Sequence, residues 1–476
     1  MKIEFTPKVD AKFAWREVPK AEAPKRSATE RVSDFFEIYS FLDEETARQQ
    51  ALRCIQCPEP LCVQGCPVNN FIPAWMALTA EGRFLEAAKV LQTSSCMEDI
   101  FSRLCSHPCE PRCILEGRGE PVAINAVERF LNDYAVAHGA VQVVLPPASG
   151  FKVAVMNSGP CGLTCAYDLA RRGHAVTVFD SRPFVGGLLV HGIPAFKMEK
   201  AVLQRRLAVM RQLGVQFKLG MKPGVSPTLQ ELRASFDAVF FGAAIGRVKP
   251  LDVPGANLPG VHQGLTYLVQ QNGSVPLDAV PIEVKDKRVV VLGGGDVAMD
   301  CARIALRGGA KDVLCLYRRD EANLRANRYE YENAREEGAR FEFLASPVAL
   351  LGNGGNHVTT VRCVRTQLGE PDAEGRPEPL PVPETEFAVS ADVVLVALGF
   401  VSAPFEAEGD LKELAVTPDG RLLVNENLMT NIPGVFAGGT LVRGASAFLD
   451  AVHDARKAAA SIQKFIGADK AKPVSA

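Results

Sequence analysis

The 476-residue sequence contains no apolar run long enough to cross a membrane and no signal-peptide pattern. Its longest apolar stretches, such as "VVLVALGFV" at 393–401, have about half the length of a membrane-spanning helix and suit buried parallel strands. The first forty residues alternate charges with isolated aromatic residues, so we expect no export. The sequence therefore predicts a cytoplasmic protein.

An excess of either charge is also missing. The 53 Lys and Arg residues are balanced by 55 Asp and Glu residues, and the formal net charge is −2. Such a chain has no broad field to attract nucleic acid or a membrane surface, so neither is expected as a partner. The length exceeds that of one compact core, and we expect about three domains.

Cysteine, by contrast, is abundant, with thirteen residues. In a reducing compartment clustered thiols more often bind metal or carry out redox chemistry than form disulfides. Eight fall between residues 54 and 113, with the spacing Cys54-x2-Cys57-x4-Cys62-x3-Cys66-Pro, then Cys96, then Cys105-x3-Cys109-x3-Cys113. The remaining five lie in helix or strand patterns and are predicted to be inert core residues: Cys161, Cys165, Cys301, Cys315 and Cys363.

Iron–sulfur clusters explain this spacing better than zinc, the main alternative. The seven thiols other than Cys96 are too many for one zinc ion and one too few for two all-cysteine sites. A ferredoxin-like run that ends in Cys-Pro often sends its last cysteine to a second cluster. We therefore expect one cluster on Cys54, Cys57 and Cys62, with a fourth ligand that spacing cannot name. The second is expected on Cys66, Cys105, Cys109 and Cys113, while Cys96 packs or is exposed.

Two strand–turn–helix signatures follow the cysteine region. Residues 1–145 contain helical stretches such as "DEETARQQALRCI" and almost no strand signal. After the joint "VVLPPASG", apolar β runs alternate with amphipathic helices, which predicts a doubly wound parallel sheet. The signatures span 151–180 and 287–320 and indicate two nucleotides on two sub-domains. Residues 368–386 are expected to form an exposed loop or hairpin.

The second signature predicts a nicotinamide nucleotide site. Gly293, Gly295 and Ala298 fill the G-x-G-x-x-A positions, where glycines let backbone N–H groups approach a pyrophosphate at a helix N-terminus. Asp296 in the same turn is a further candidate. The second strand ends in "LYRRD", so Arg318 and Arg319 favour the 2′-phosphate of NADPH over NADH, although both could simply be solvated.

The first signature predicts the adenosine end of FAD. Gly159 and Gly162 are present, but Asn157 replaces the first glycine; asparagine best tolerates a left-handed backbone among the other residues. Asp180 ends the second strand with a carboxylate suited to a ribose hydroxyl. A later strand, glycine turn and helix could return to the same flavin, and its candidates are Gly438, Gly439, Thr440 and Ala445.

With these residues assembled, almost the whole chain resembles the small (β) subunit of bacterial glutamate synthase and its relatives. The family includes the N-terminal half of dihydropyrimidine dehydrogenase and the large subunit of NADH-dependent ferredoxin:NADP oxidoreductase. The resemblance rests on "RCIQCPEPLCVQGCPVNNFIPAW", "GGLLVHGIPAFKMEK", "VVVLGGGDVAMDCARIALRGGA", "CLYRRDEAN" and "VALGF".

The resemblance implies an N-terminal helical domain with two [4Fe-4S] clusters, then an FAD domain interrupted by an NAD(P)H domain. We accordingly expect an α-helical iron–sulfur domain at 1–145, an FAD domain at 146–283 and 396–476, and an NAD(P)H domain at 284–395. The missing ligand of the first cluster falls on Glu128. The segment "GGLLVHGIPAFK", with Gly186, Gly187 and Lys197, is expected to line the flavin.

Three positions depart from the family pattern. Asn157 replaces a glycine of the FAD loop, and Thr440 stands where the family has an aspartate for the flavin ribityl chain. Tyr329 takes the place of an arginine near the 2′-phosphate, with Arg325 and Arg328 close by. The first two bear on how tightly FAD binds, and the third bears on the choice of NADPH over NADH.

The resemblance implies an electron-transfer subunit, in which NAD(P)H reduces FAD and single electrons pass through the clusters to or from a larger catalytic subunit or a ferredoxin. No acid, base or nucleophile is required, so no catalytic residue is expected. Two alternatives stay open. One is a stand-alone NAD(P)H-dependent ferredoxin or quinone reductase, and the other is an iron–sulfur scaffold or relay subunit that has lost its flavin, which Asn157 and Thr440 motivate.

Overall fold

The computed structural model describes residues 13–469 except 96, 141–142, 223, 243–246, 274–279, 355–356, 373–374, 402–407 and 445–447. An N-terminal helical unit precedes two units that are each built on a parallel sheet.

The N-terminal unit contains helices and no β-strand of two or more residues among the residues that the structure describes. Its long helix from Ile124 to Ala137 buries Val127, Phe130 and Leu131, three apolar residues at helical spacing, against Trp75 and its neighbours. The helices are α1 (Ala14–Glu17), α2 (Ala28–Arg31), α3 (Glu44–Leu52), α4 (Leu61–Gly65), α5 (Ile72–Ala80), α6 (Phe84–Ser94), α7 (Glu98–Leu104) and α8 (Ile124–Ala137), with a 3₁₀ turn at Glu116–Arg118.

The first sheet unit begins after the proline joint. Its elements are β1 (Lys152–Met156), α9 (Pro160–Ala170), β2 (Ala175–Asp180), α10 (Leu188–His191), α11 (Lys200–Gln212), β3 (Gln216–Leu219), α12 (Leu229–Ser235), β4 (Ala238–Phe241) and the short β5 (Arg247–Val248). Strands β1, β2, β3 and β4 are parallel, and Val153 of β1 pairs with Val176 and Ala238. The central strand is almost fully buried, as a parallel strand covered on both faces should be.

The second sheet unit follows, with an antiparallel extension. Its elements are β6 (Val261–Gln263), α13 (Gly264–Gln271), β7 (Arg288–Leu292), α14 (Asp296–Arg307), β8 (Asp312–Tyr317), a 3₁₀ turn (Glu321–Asn323), α15 (Arg328–Glu336), β9 (Arg340–Phe343), β10 (Ala345–Gly352), β11 (Val358–Pro371), β12 (Pro377–Pro381), β13 (Phe387–Ser390), β14 (Val393–Val396) and β15 (Phe400–Val401). The parallel sheet has the order β6-β14-β7-β8-β9, and β11 pairs antiparallel with β10, β12 and β13. The predicted hairpin is therefore β11–β12.

The chain then returns to the first sheet. A 3₁₀ turn (Gly409–Glu413) leads to β16 (Val435–Ala437), α16 (Thr440–Arg443) and α17 (Phe448–Asp469), and the first sheet has the order β16-β4-β1-β2-β3. The second unit is thus inserted into the first, which confirms the predicted fold. The domain bounds stay a prediction, but Val261–Gln263, which they assign to the FAD domain, pairs with the second sheet.

A segment near the N-terminus, residues 20–39, joins all three units, and we call it the strap. Ile38 is buried in the core of the second sheet unit, and its N–H donates to the Phe196 carbonyl (3.1 Å) of the first. Glu37 accepts hydrogen bonds from Arg103 (2.8 Å) and Arg129 (2.6 Å) in the helical unit. The strap therefore fixes the units to one another.

Within the described residues, no helix is both long and apolar enough to cross a membrane. The five cysteines that were expected in the core are all buried. Cys96 lies outside the described residues.

Candidate functional site

Four cysteines of the N-terminal unit line one pocket, and we call them the outer group: Cys54, Cys57, Cys62 and Cys113. All four are half-buried. The other walls are apolar and include Leu61 and Ile114, whose exposed fractions are 39% and 40%. The outer group therefore lies close to an apolar part of the surface.

A second set, the inner group, comprises Cys66, Cys105, Cys109 and Glu128. Burial raises the pKa of Cys105 to about 12, and the negative charges of Glu128 and Cys66 add to the effect of burial. The same two neighbours act on Cys109, whose pKa burial raises well above its ordinary value. Burial also raises the pKa of Glu128 to about 8. These four side chains thus lie within electrostatic reach of one another in the interior.

The grouping differs from the predicted one by an exchange of Cys113 and Glu128. Cys113 lies with the outer group, because a turn closed by its N–H and the Glu110 carbonyl (2.9 Å) directs the chain back towards the first cysteine run. Glu128 lies with the inner group. The rule for runs that end in Cys-Pro predicts the place of Cys66, whereas Cys113 is followed by Ile114 and carries no such signal.

The backbone of both cysteine segments has features of ligand-holding loops. Gln56 and His107, each between two cysteines, have the left-handed φ values +53° and +56°, a strain that is usual at functional sites. The His107 N–H points at the Cys105 sulfur (3.3 Å). A Cβ on Gly65 would lie only 2.7 Å from Arg112 Cγ. Because glycine has no Cβ, the two cysteine segments can approach each other closely at this point.

Each group offers four donor side chains, the number that one [4Fe-4S] cluster takes. Coordination also requires the thiolate, which burial disfavours here, so a bound metal must supply the compensating positive charge. The donor set fits iron–sulfur clusters.

The loop between β7 and α14 fits a nucleotide pyrophosphate. Gly293 has φ +145°, and a Cβ there would overlap the Ala397 carbonyl oxygen. Gly295 is the N-cap of α14 and faces open space, which leaves room for a ligand at the helix N-terminus. Asp296 accepts a hydrogen bond from the Asn327 N–H (2.9 Å), so its side chain orders the neighbouring loop.

The arginines near this loop differ in availability. Arg319 is buried; its Nε donates to the Pro377 carbonyl (2.7 Å), and it lies 3.5 Å from the Asp372 carboxylate. It therefore anchors the β11–β12 hairpin, and the expectation that it contacts a ligand is not supported. Arg318 and Arg325 are exposed and enter no ion pair among the residues that are described.

The sequence shows Arg325 only as a residue close to Tyr329, whereas the structure places it directly at the glycine loop. Its N–H donates to the Gly294 carbonyl (3.0 Å). Arg328, in contrast, pairs with Glu332 (2.7 Å) and Glu321 (3.1 Å). Arg318 and Arg325 are thus the guanidinium groups available for a phosphate.

The loop between β1 and α9 keeps the shape of a dinucleotide loop despite Asn157. This residue has φ +82°, and its Oδ1 accepts a hydrogen bond from the Gly159 N–H (2.8 Å). A Cβ on Gly162 would overlap the Asn157 carbonyl oxygen, so the close packing of loop and helix is preserved. The carboxamide, however, occupies one N–H of the helix N-terminus where a pyrophosphate would be bound.

The remaining flavin candidates lie around this loop. Asp180 is buried and accepts hydrogen bonds from the Ser158 N–H (2.7 Å) and hydroxyl (2.6 Å). A Cβ on Gly187 would lie 3.1 Å from the Gly159 Cα, so the 186–187 turn packs against the loop. Gly439, which follows Gly438, donates its N–H to Asp454 (3.1 Å). Thr440 begins α16, and Ala445 lies outside the described residues.

Lys197 lies between the two sheet units. Its Nζ is 3.1 Å from Asp300 and 3.7 Å from Glu330. Burial alone would lower the pKa of Lys197, but these carboxylates outweigh it and raise the pKa above its ordinary value. Burial in turn raises the pKa of Asp300 to about 6. Asp300 and Glu330 carried no signal in the sequence beyond their helical periodicity.

A cavity of about 160 Å³ lies where the three units meet, and we call it the junction cavity. Its walls include Cys105 and His107 from the inner group's loop, Lys197, and Asp296 and Tyr329 from the second sheet unit. The rings of His107 and Tyr329 lie 5.6 Å apart. Cys105 of the inner group, Asp296 of the nucleotide loop and Lys197 therefore line one cavity, which sequence spacing could not have shown.

Known proteins match the chain over these same regions. Residues 31–140 match the family described as dihydropyrimidine dehydrogenase domain II, 4Fe-4S cluster, and residues 151–459 match pyridine nucleotide-disulphide oxidoreductase. The glutamate synthase [NADPH] small chain of Azospirillum brasilense is 41% identical over 95% of each chain. That of Halomonas elongata is 39% identical over 95% of this chain and 98% of the relative.

The fold is similar to that of a solved structure, Mycobacterium tuberculosis FprA in complex with NADPH. The superposition covers 68% of this chain and 86% of the FprA chain, with a TM-score of 0.56 and 19% sequence identity. At that identity it supports the fold alone. The matched domains imply iron–sulfur and FAD/NAD(P)H binding, in accord with the donor sets described above. The chain belongs to the glutamate synthase small-chain family of pyridine nucleotide oxidoreductases.

Proposed function

We propose that the protein passes electrons from NAD(P)H, through a flavin and two [4Fe-4S] clusters, to a larger oxidoreductase subunit. The junction cavity carries this proposal, since Cys105 of the inner group, Asp296 at the N-terminus of α14 and Lys197 all line it. The chemistry that a bound flavin supplies is the conversion of a hydride into single electrons, which iron–sulfur clusters transfer one at a time.

The order of the groups supports a direction for the path. The inner group lies at the junction cavity, whereas the outer group lies beside the exposed apolar residues Leu61 and Ile114. We infer that electrons leave through the outer group. The relatives carry the name "small chain", which supports a larger partner.

The chain's own residues position and enclose the reactants. Gly295 leaves the N-terminus of α14 open for the pyrophosphate, and Lys197 is held towards the junction by Asp300 and Glu330. Tyr329 and His107 close the cavity on the side of the inner group. Arg318 and Arg325 favour NADPH over NADH, since both are exposed near the glycine loop and free for the extra phosphate.

The test is the composition and activity of protein purified without oxygen. We expect about eight iron and eight sulfide ions per chain, one FAD, and NADPH oxidation with an artificial electron acceptor. Zinc in place of iron, or no metal at all, would refute the proposal.

One observation favours a second candidate, an iron–sulfur subunit without flavin. The Asn157 carboxamide already satisfies the Gly159 N–H in the FAD loop. This candidate predicts full iron content, no flavin absorbance, and restored flavin binding in the double variant Asn157→Gly, Thr440→Asp. A wild-type protein with one FAD per chain would exclude it.

A further inference from the structure

Arg206 connects the first sheet unit to the helical unit through two carboxylates. It lies on α11 and is 3% exposed. Its Nη2 donates to Glu98 (2.6 Å) and to Asp99 (3.0 Å), both on α7, and its guanidinium lies 5.1 Å from the Tyr167 ring centre. One buried cation therefore balances two acids at the boundary between the units.

Helix α7, which contains Glu98, packs against the face of α8 that contains Glu128. The Nδ2 of Asn132 donates to the Glu98 carbonyl (3.0 Å), and that of Asn125 donates to the Ser102 carbonyl (3.2 Å). Residues 125, 128 and 132 lie on one face of a helix, so Glu128 faces α7 between the two asparagines. The negative charge of Glu98 also adds to burial in raising the pKa of Glu128. Glu98 is therefore a close electrostatic neighbour of the inner group.

Water screens these charges poorly. Glu98 is 2% exposed, and its Oε2 is buried without a hydrogen-bond partner among the described atoms. In such an interior, charges interact more strongly than they do at the surface.

We propose that Arg206 and Glu98 are positioning residues that set the reduction potential of the inner group. Reduction adds a negative charge to a cluster, so the nearby Arg206 cation raises the potential and the Glu98 carboxylate lowers it. The inference rests on the proposed function, because it requires a cluster on the inner group. It gives the flavin unit direct influence over the centre that receives its electrons.

The test is a redox titration of the anaerobically purified holoprotein, monitored by electron paramagnetic resonance at alkaline pH, where Glu98 is ionised despite its raised pKa. The signal perturbed by Glu128→Ala identifies the inner centre. We expect Arg206→Met to lower its potential, Arg206→Lys to retain it, and Glu98→Gln to raise it. The Arg206→Met shift should shrink towards acidic pH, because Glu98, left without its cation, takes up a proton.

Arg211→Gln is the matched control. It removes one positive charge from the same segment at an exposed position, where Arg211 lies over Phe217, and should leave the potential unchanged. The inference is overturned if Arg206→Met shifts the potential no more than this control, or if Glu98→Gln fails to raise it, while iron and sulfide stay complete. Loss of both clusters in the wild-type protein would instead overturn the proposed function.

Discussion

At the scale of single residues, the nucleotide preference depends on which guanidinium groups are free. Arg318 and Arg325 are exposed near the glycine loop, whereas Arg319 is committed to the β11–β12 hairpin. Loss of a charge-assisted hydrogen bond costs about 1.5–3 kcal/mol. We therefore predict that Arg318→Ala or Arg325→Ala raises KM for NADPH by about 10- to 100-fold and leaves KM for NADH nearly unchanged.

Steady-state kinetics with both nucleotides checks this prediction, and Arg319→Ala is the control. That variant should lower the melting temperature, because a buried guanidinium loses its carbonyl and carboxylate partners, without a selective change in KM for NADPH. A selective NADPH defect in Arg319→Ala alone would show that the assignment is wrong.

A second residue-scale prediction concerns Asn157. Glycine adopts its φ of +82° without steric cost and would free the Gly159 N–H for a pyrophosphate. A net hydrogen bond contributes about 1 kcal/mol, so Asn157→Gly should tighten FAD binding by roughly 5- to 10-fold, as measured by flavin fluorescence on dilution. Asn157→Ala is the control: it also removes the carboxamide, but it keeps a Cβ in the left-handed region without the local hydrogen bond that helps asparagine to adopt it, where the strain is about 1–2 kcal/mol.

At the scale of the elements, each cysteine segment contributes one cysteine to the group formed mainly by the other. The two segments meet at the contact between Gly65 and Arg112. We predict that Cys113→Ala and Cys62→Ala remove the same outer cluster and leave NADPH-dependent flavin reduction intact. Cys105→Ala should instead affect the inner cluster. Iron content and the paramagnetic resonance spectrum of each reduced variant check this, and a Cys113→Ala protein that keeps its outer signal would contradict the grouping.

The elements themselves were largely predictable, whereas the directions of their side chains were not. Helical periodicity indicated α3, and the two glycine signatures indicated β1–α9–β2 and β7–α14–β8. Local patterns suffice there because burial imposes a period of 2 or 3.6. The partner of Cys113 depends on a single turn at Glu110, and no periodicity reports the direction in which a turn sends the next side chain.

At the scale of the whole molecule, Phe196 locks the two sheet units together. This buried ring from the first unit lies 4.3 Å from the Arg303 guanidinium and 4.0 Å from that of Arg307, both on α14. Glu337 holds the two arginines at 2.9 Å and 2.7 Å. The second unit is therefore fixed in one orientation relative to the first.

Phe196→Ala should destabilise this contact by about 3–5 kcal/mol, the usual cost of truncating a buried phenylalanine. We expect an earlier melting transition in calorimetry, with the second sheet unit unfolding first. Phe196→Leu keeps much of the apolar volume and loses the cation–π interaction of about 2 kcal/mol, so it should melt between wild type and Phe196→Ala. Equal melting of the two variants would contradict a role for the aromatic face.

Long-range contacts of this kind were invisible in the sequence. Nothing in the residues of the strap indicates that Arg31 and Lys25 pair with Glu336, or that the Tyr39 hydroxyl accepts a hydrogen bond from Asn333 (2.9 Å). These partners lie about 300 positions apart in the chain, so no local pattern connects them.

The contacts of the strap affect the stability of any fragment from which residues 20–39 are removed. A fragment that begins at the proline joint would contain both glycine loops. It would lack Ile38, so the apolar residues that pack around Ile38 would be exposed. Glu336 and Glu337 would also lose their ion pairs with Arg31. We expect such a fragment to aggregate and to be poorly soluble. Addition of residues 20–39 as a separate peptide should increase its solubility.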